Sequence, residues 1–309
     1  MIKYTIKRIL LTIPVLFCVI AIVFTILNIT PGDPTTIMLG PTASAQQKEM
    51  LAEQLNLDDP FLKRFGDYLV GVFHGDLGTS YVTSAPVAKE MAERFPVTII
   101  IAIASIVIST ILGIALGVLS AIKQYSVIDN VFTVTAMLLS AVPYFWLGLM
   151  LMLLFGLKLG WVPIFGLDNW TGYILPVTVN CFGAVANLLR LTRSTMLETI
   201  RQDYIRTARA KGAPERTVIW RHALKNALLP VITFLGASFS AQLGGAVIVE
   251  TVFSLNGIGT YILSAIKTKN TPVVLSGTLV LATIFCIIML IVDLIYALID
   301  PRIKARYAK

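Results

Sequence analysis

Six apolar stretches, separated by polar and charged segments, dominate the chain. They cover residues 9–29, 97–122, 131–157, 174–191, 227–249 and 274–299. Each is close to the roughly 20 residues that an α-helix needs to cross a bilayer. The pattern predicts an all-α integral membrane fold with six transmembrane helices, in which residues 1–309 form a single membrane domain.

The polar segment between the first two stretches, residues 30–96, carries helix and turn signals. Helical-looking stretches occupy residues 45–55 and 61–73. They lie between a Pro31-Gly32-Asp33-Pro34 motif and a turn region at residues 75–80. We therefore expect a small folded cap after the first helix rather than a linker.

Residues 192–226, which we call the elbow, also show a helical pattern. Ile200, Tyr204 and Ala208 recur every four residues among charged positions, which predicts an amphipathic helix. Gly212 suits the C-terminal cap of that helix, because a positive φ is favoured there. Pro214 suits the first turn of a second helix. On periodicity alone, a basic surface helix that rests on anionic lipid headgroups explains the segment about as well.

Charge gives the orientation. With the N-terminus inside, 17 basic residues fall on the inner side and 8 on the outer side. This distribution follows the positive-inside rule. Both termini and the elbow are then cytoplasmic, and the cap at residues 30–96 is extracytoplasmic. The first apolar stretch is longer than the core of a signal peptide, so we expect an uncleaved span.

Composition excludes several classes of function. The chain is 56% apolar and 14% charged, whereas soluble domains carry about 25% charge. Its basic residues lie mostly beside apolar spans, which indicates membrane orientation rather than nucleic-acid binding. The chain has two histidines, far apart and without a nearby cysteine, so we expect no protein-ligated metal.

Polar groups inside the spans are the candidates for a substrate path or gate, because burying them in lipid is costly. They are Asn180, Asn187, Gln242 and Glu250. Interhelical hydrogen bonds are an alternative role for the amides, and a helix-end role is one for Glu250. Small residues also recur every four positions from Ser105 to Ala121, which favours close helix packing, either within the chain or against a second subunit.

Two runs, residues 203–212 and 220–230, resemble the cytoplasmic loop of bacterial ABC importer permeases of the dipeptide/oligopeptide/nickel family. The resemblance covers essentially the whole chain. It includes the Pro31-Gly32-Asp33-Pro34 motif, residues 75–78, residues 250–254 with 257–259, and the ending Asp300-Pro301-Arg302-Ile303. Of the general importer pattern Glu-Ala-Ala-x-x-x-Gly, only Ala208 and Gly212 match, and the peptide-permease variant fits better.

The resemblance implies a B-type permease subunit of an ATP-driven importer for di- or oligopeptides, in the bacterial inner (cytoplasmic) membrane. Its elbow would dock on an ATPase subunit. The implied coupling residues are Asp203, Tyr204, Arg206, Thr207, Ala208, Arg209, Gly212 and Ala213. The implied partners are a homologous second permease subunit, two P-loop ATPase subunits and an extracytoplasmic substrate-binding protein, within the lipid bilayer.

The chain lacks the Gly-x-x-x-x-Gly-Lys-Ser/Thr loop that cradles nucleotide phosphates. ATP and magnesium are therefore expected on the partner ATPase subunits, with no cofactor and no enzymatic activity on this chain.

Three other functions are alternatives. A permease for nickel chelates is the main alternative. A secondary transporter would usually carry a charged group near mid-membrane, and an intramembrane serine protease would need a positioned base such as histidine. No charged residue falls near the middle of a predicted span, and His74 and His222 both fall outside the predicted spans, so these last two are distant alternatives.

Overall fold

Helices make up the fold in the computed structural model, which describes residues 2–30, 32–167 and 169–299. In chain order they are α1 (Ile2–Ile29), α2 (Pro34–Leu39), α3 (Ala45–Gln54), α4 (Phe61–Phe73), α5 (Val87–Ile122), α6 (Val127–Ala141), α7 (Tyr144–Leu151), α8 (Ile174–Ile200), α9 (Asp203–Ala210), α10 (Glu215–Thr217), α11 (Leu224–Val252), α12 (Ile258–Lys267) and α13 (Thr271–Ile299). π-Helical segments follow α7 at Met152–Lys158 and α10 at Val218–Ala223, and a 3-10 turn, Trp170–Tyr173, precedes α8. Pro31 and the ending at residues 300–303, which contributed to the resemblance, lie outside the described residues.

Five helices in the described part of the chain are long and apolar enough to cross a bilayer. A sixth span results if the bent pair α6 and α7 counts as one. The structure thus agrees with the predicted all-helical membrane fold.

The third predicted span, residues 131–157, differs from the prediction because it is not one continuous helix. α6 ends at Ala141, and the segment starting at Tyr144 is bent by 103° relative to it. Between them, Val142 is extended at φ −81° and ψ 125°. The ring of Pro143 disfavours the helical conformation for the residue before it, which explains the break.

Several spans also extend beyond their predicted ends, and α5 and α8 do so the furthest. α8 runs to Ile200 instead of residue 191, and α5 begins at Val87 instead of residue 97. At 1.5 Å per residue, the 27 residues of α8 span about 40 Å, more than the hydrocarbon thickness of about 30 Å. Hydropathy marks only the part of a helix that lies in lipid, so the polar ends of α5 and α8 gave no such signal.

The described chain divides into two compact units. Residues 99–255, with residues 2–5 and 287–299, form the first unit, and residues 6–98 with 256–286 form the second. In the first unit, α8 packs against α6 and α11. Gly113 and Gly117 of α5 lie directly against α8: a Cβ atom at Gly117 would be 2.7 Å from the carbonyl oxygen of Leu189 and 2.6 Å from Cβ of Thr192. The small residues of the second span therefore serve packing within this chain.

We expect Gly117→Ala to destabilise the chain by about 1–3 kcal/mol, because the new methyl group meets backbone that cannot move aside easily. Gly244→Ala in α11 is the matched control, since nothing lies within 4 Å of a Cβ atom there. Unfolding of the purified chain by denaturing detergent would measure both. Equal stabilities for the two variants would contradict the packing role of Gly117.

The second unit contains the cap. Helices α3 and α4 confirm the predicted helical stretches at residues 45–55 and 61–73. Phe24 of α1 contacts Phe61 and Phe65 of α4, with ring centroids 5.2 Å apart in each pair. The side chain of Asp33 caps α2 and accepts hydrogen bonds from the hydroxyl groups of Thr36 and Thr35, which lower the pKa of its carboxyl group. These contacts give the cap a defined structure of its own.

A buried polar network joins α5 to α12 in the same unit. Glu90 accepts hydrogen bonds from the hydroxyl groups of Thr83 and Tyr261, and Arg94 lies 4.3 Å from the centroid of the Tyr261 ring. The backbone N–H of Ile258, at the start of α12, donates to the Thr98 hydroxyl at 2.9 Å. The short apolar helix α12, which the sequence analysis did not predict, is therefore fixed to the extended first turns of α5.

Candidate functional site: the basic elbow and the intramembrane amides

The elbow forms a helix, a tight turn and a second helical segment, as predicted. α9 begins after Gln202, which is extended at φ −69° and ψ 150°, and has Asp203 in its first turn, where a negative charge is favourable. Gly212 has a φ of +78°. Its N–H donates to the carbonyl of Arg209 at 2.9 Å, and the N–H of Ala213 donates to that of Ala208 at 3.2 Å. This pair of bonds is the Schellman arrangement, which ends α9 sharply.

One predicted boundary in the elbow is wrong. Ile200 was expected to begin the amphipathic helix, but it is the last residue of α8. The break falls at Gln202, and α9 starts at Asp203. Pro214 precedes the second helix as its N-cap, and its carbonyl accepts from the N–H of Thr217 at 2.8 Å.

Ile205 anchors the elbow to the long helices of its unit. Its side chain is completely buried in an apolar cluster with Val118 and Ala121 of α5, Met196 of α8, and Ala227 of α11. Val218, Ile219 and Ala223, from the second arm of the elbow, complete the cluster. Burying one isoleucine fully contributes about 1.5–3 kcal/mol. α9 is therefore packed against all three long helices through this one cluster.

The other face of the elbow is exposed. Of the eight predicted coupling residues, Asp203, Tyr204, Arg206, Thr207, Arg209 and Gly212 are exposed, while Ala208 and Ala213 pack partly against the Ile205 cluster. Arg209 forms a bidentate pair with Glu215 across the turn, at 3.0 and 2.6 Å. Asn226 donates to the hydroxyl of Tyr204 at 3.0 Å. The structure thus brings all eight residues together on one helix and its turn, with the turn braced by side chains.

A buried ion pair near the elbow escaped the sequence analysis. Arg193 of α8 binds Asp129 of α6 in a bidentate pair, at 2.6 and 2.7 Å. The side chain of Asp129 is only 2% exposed, and it also accepts from Ser120 and from the backbone N–H of Tyr125. The available signal was that Asp129 is the only acid in the predicted inner loop at residues 123–130. The pair connects α8, which leads into the elbow, with the α5–α6 turn.

Two of the four predicted path residues lie between helices of this chain. Asn180 of α8 is buried and donates to the hydroxyl of Ser105 at 3.2 Å, and Gln242 of α11 donates to Ser109 at 3.4 Å. Both serine residues belong to α5. In the structure, Asn180 and Gln242 therefore form interhelical hydrogen bonds, which is the alternative role considered for these amides. Within the described residues, the Oδ1 atom of Asn180 and the Oε1 atom of Gln242 have no hydrogen-bond partner.

The other two predicted path residues are placed differently. Asn187 is exposed on α8 and accepts a hydrogen bond from Arg190 at 2.7 Å. Glu250, near the end of α11, is completely buried. The four residues therefore do not share one surface of the chain, and Asn187 is the one that faces outward.

Three comparisons place the chain among known proteins. Residues 113–305 match the family model described as binding-protein-dependent transport system inner membrane component, and residues 1–102 match the model for the N-terminal part of such membrane components. The dipeptide transport system permease protein of Alkalihalophilus pseudofirmus is 40% identical over 98% of this chain and 100% of its own length. The glutathione transport system permease protein of Escherichia coli strain K12 is 38% identical over 98% and 99%.

A solved structure shows the same fold. The crystal structure of an amino acid ABC transporter with histidines matches 69% of this chain and 94% of its own, with a TM-score of 0.52 and 14% identity.

Proposed function

The chain belongs to the family of binding-protein-dependent transport system inner membrane components, and we propose that it is the permease subunit through which an ATP-driven importer moves di- or oligopeptides into the cell. It is an ABC importer permease of the peptide and nickel group and a multi-pass protein of the bacterial inner membrane. Its relatives are transport subunits rather than catalytic enzymes.

Peptide cargo rests on one observation above all. The two relatives named above carry the words dipeptide and glutathione in their names, and each aligns with nearly the whole of this chain. Glutathione is itself a tripeptide. Short peptides are therefore the cargo class that both relatives share, and this chain is proposed to accept the same class.

The elbow supports the proposed coupling to an ATPase. It presents an exposed polar surface on α9 and the Gly212 turn, and Ile205 ties that surface to α5, α8 and α11. An ATPase subunit that docks on the exposed face would move these three helices together. Asp203, Tyr204, Arg206, Thr207 and Arg209 would then meet the partner directly, whereas Ala208 and Ala213 would transmit the load to the core.

In the proposed assembly, this chain forms one half of the translocation path. A second, related permease subunit completes the path. Two P-loop ATPase subunits, which bind ATP and magnesium themselves, dock on the cytoplasmic elbows, and an extracytoplasmic binding protein delivers the peptide to the cap at residues 30–96. Asn187, exposed on α8, is the residue of the four intramembrane candidates proposed to line the path.

Affinity purification of the tagged chain from its native membranes in mild detergent tests the assembly. We expect P-loop ATPases and a second permease subunit to co-purify. Proteoliposomes of that complex with its binding protein should then take up labelled dipeptides or glutathione only when ATP is supplied.

Two results would contradict the proposal. Uptake of a nickel chelate but of no peptide would show that the chain is a permease for nickel chelates. Transport by the chain alone in liposomes without ATP would make it a secondary transporter.

A further inference from the structure

An apolar cavity of about 310 Å³ opens between α1 and α13 in the second unit. Val23, Ile26 and Leu27 line it from α1, and Val274 and Thr278 line it from α13. Both helices are candidate membrane spans with mean hydropathies of 3.0 and 2.7 over their most apolar windows, and only 11% of the α1 window is buried. The cavity is therefore a groove whose walls meet lipid.

A single cation, Lys269, lies at one end of this groove. Lys269 precedes the first residue of α13 by two positions, and α1 ends at Ile29, so both helices have a terminus there. Its side chain lies directly against Gly32, where a Cβ atom would collide with it. Glycine at this position of the Pro-Gly-Asp-Pro motif thus leaves room for the lysine.

The ammonium group of Lys269 has no salt bridge or hydrogen bond within the part of the chain that the structure describes. The nearby acid, Asp33, is occupied by the hydroxyl groups of Thr35 and Thr36 and by the cap of α2. This positive charge lies at a helix end, beside an apolar groove, and has no acceptor of its own. It therefore favours a ligand that carries both an anionic group and a hydrocarbon chain.

We propose that this groove binds one anionic phospholipid, with an acyl chain between α1 and α13 and its phosphate on Lys269. The lining of the groove suits the two parts of such a molecule, since its apolar walls lie along the spans and its cation lies at their ends. A peptide segment fits less well, because apolar walls leave the backbone N–H and C=O groups of a bound peptide without partners. A free phosphate ion would leave the apolar part of the groove unfilled.

Photolabelling of the full-length chain, with any co-purifying subunits, in phosphatidylcholine nanodiscs tests the proposal. The probe is a small fraction of phosphatidylglycerol that carries a photoreactive group on one acyl chain. Labelling of residues 23–27 and 274–278 is compared with labelling at Ile13, which is exposed on α1 away from the groove. Lys269→Gln is compared with Lys267→Gln, which removes an exposed lysine two positions earlier.

We expect the groove to be labelled in preference to Ile13, and Lys269→Gln to reduce that preference about fivefold, as one basic residue near anionic lipid contributes about 1 kcal/mol. Lys267→Gln should leave it unchanged. The same photoreactive chain on phosphatidylcholine should label the groove equally in the parent chain and in Lys269→Gln, which checks that the variant is folded. Soluble glycerol phosphate should not compete.

Three results would overturn the proposal. They are equal groove labelling by the two headgroups in the parent chain, an unchanged preference in Lys269→Gln, and competition by glycerol phosphate as strong as that by unlabelled phosphatidylglycerol. The last would show that the site recognises a phosphate alone. None of these readouts depends on transport, so the lipid site can fail while the proposed function stands.

Discussion

ATP-driven uptake is expected to fall at least about tenfold when Gly212 is replaced by leucine, while the chain still inserts into the membrane at its normal level. Nothing lies within 4 Å of a Cβ atom at Gly212, so the new side chain meets no atom of the chain itself. It projects instead from the exposed turn of the elbow, where the ATPase is proposed to dock. Overpacking a close-fitting contact typically costs about 1–3 kcal/mol.

Backbone strain at position 212 is a second possible cause of lost uptake, and a variant of another glycine controls for it. A leucine at a φ of +78° costs about 1–2 kcal/mol of strain whether or not a partner is present. Gly160 has a φ of +63° and equally open surroundings, but lies in the predicted outer segment at residues 158–173. Gly160→Leu should therefore bear a similar strain and keep its uptake.

Uptake and substrate-stimulated ATP hydrolysis by the reconstituted complex, normalised to the amount of inserted chain, would measure both variants. Loss of uptake in Gly160→Leu as large as that in Gly212→Leu would attribute the effect to backbone strain. Normal uptake in Gly212→Leu would remove the turn from the docking surface.

Local signals explain why the all-helical membrane fold and the Gly212 turn could be predicted from the sequence. Long apolar runs indicate burial in lipid. Gly212 followed by Pro214 indicates a positive φ and the start of a new helix, and both signals lie within a few residues of each other. The same reasoning missed where helices end outside lipid. Ile200 fits the apolar period of α9 as well as that of α8, and only the extended conformation of Gln202 separates the two helices.

Contacts between distant residues explain what the sequence could not predict. Asn180 and Gln242 were recognised as polar intramembrane residues, but their hydrogen bonds go to Ser105 and Ser109, more than 60 positions away. The small-residue pattern around Ser105 predicted a packing face without naming its partner helix. Asp129 and Arg193, 64 positions apart, likewise belong to two different predicted loops. Pairing such residues requires the helix packing of α5, α6 and α8, which periodicity does not encode.

Arg193→Ala is expected to destabilise the chain by about 3–5 kcal/mol, because it leaves the carboxylate of Asp129 buried without its counter-charge. Ser120 and the N–H of Tyr125 would still donate to that carboxylate, but neither carries a charge. Unfolding of the purified chain by denaturing detergent would give the free energy of unfolding. Arg190→Ala, on an exposed side chain three positions earlier, should change it by no more than about 0.5 kcal/mol.

The double variant Asp129→Asn with Arg193→Ala separates the loss of a pair from the burial of a lone charge. If the uncompensated charge dominates, the neutral amide should recover at least half of the stability that Arg193→Ala loses, since it can still accept from Ser120. No recovery would mean that Arg193 stabilises the chain through its own packing. Because α8 continues from Arg193 to the elbow, the single variant should also weaken ATP-dependent uptake, and the double variant should restore uptake in step with stability. Stability that returns without uptake would show instead that the charge on Arg193 acts in the transport cycle and not only in holding α8 to α6.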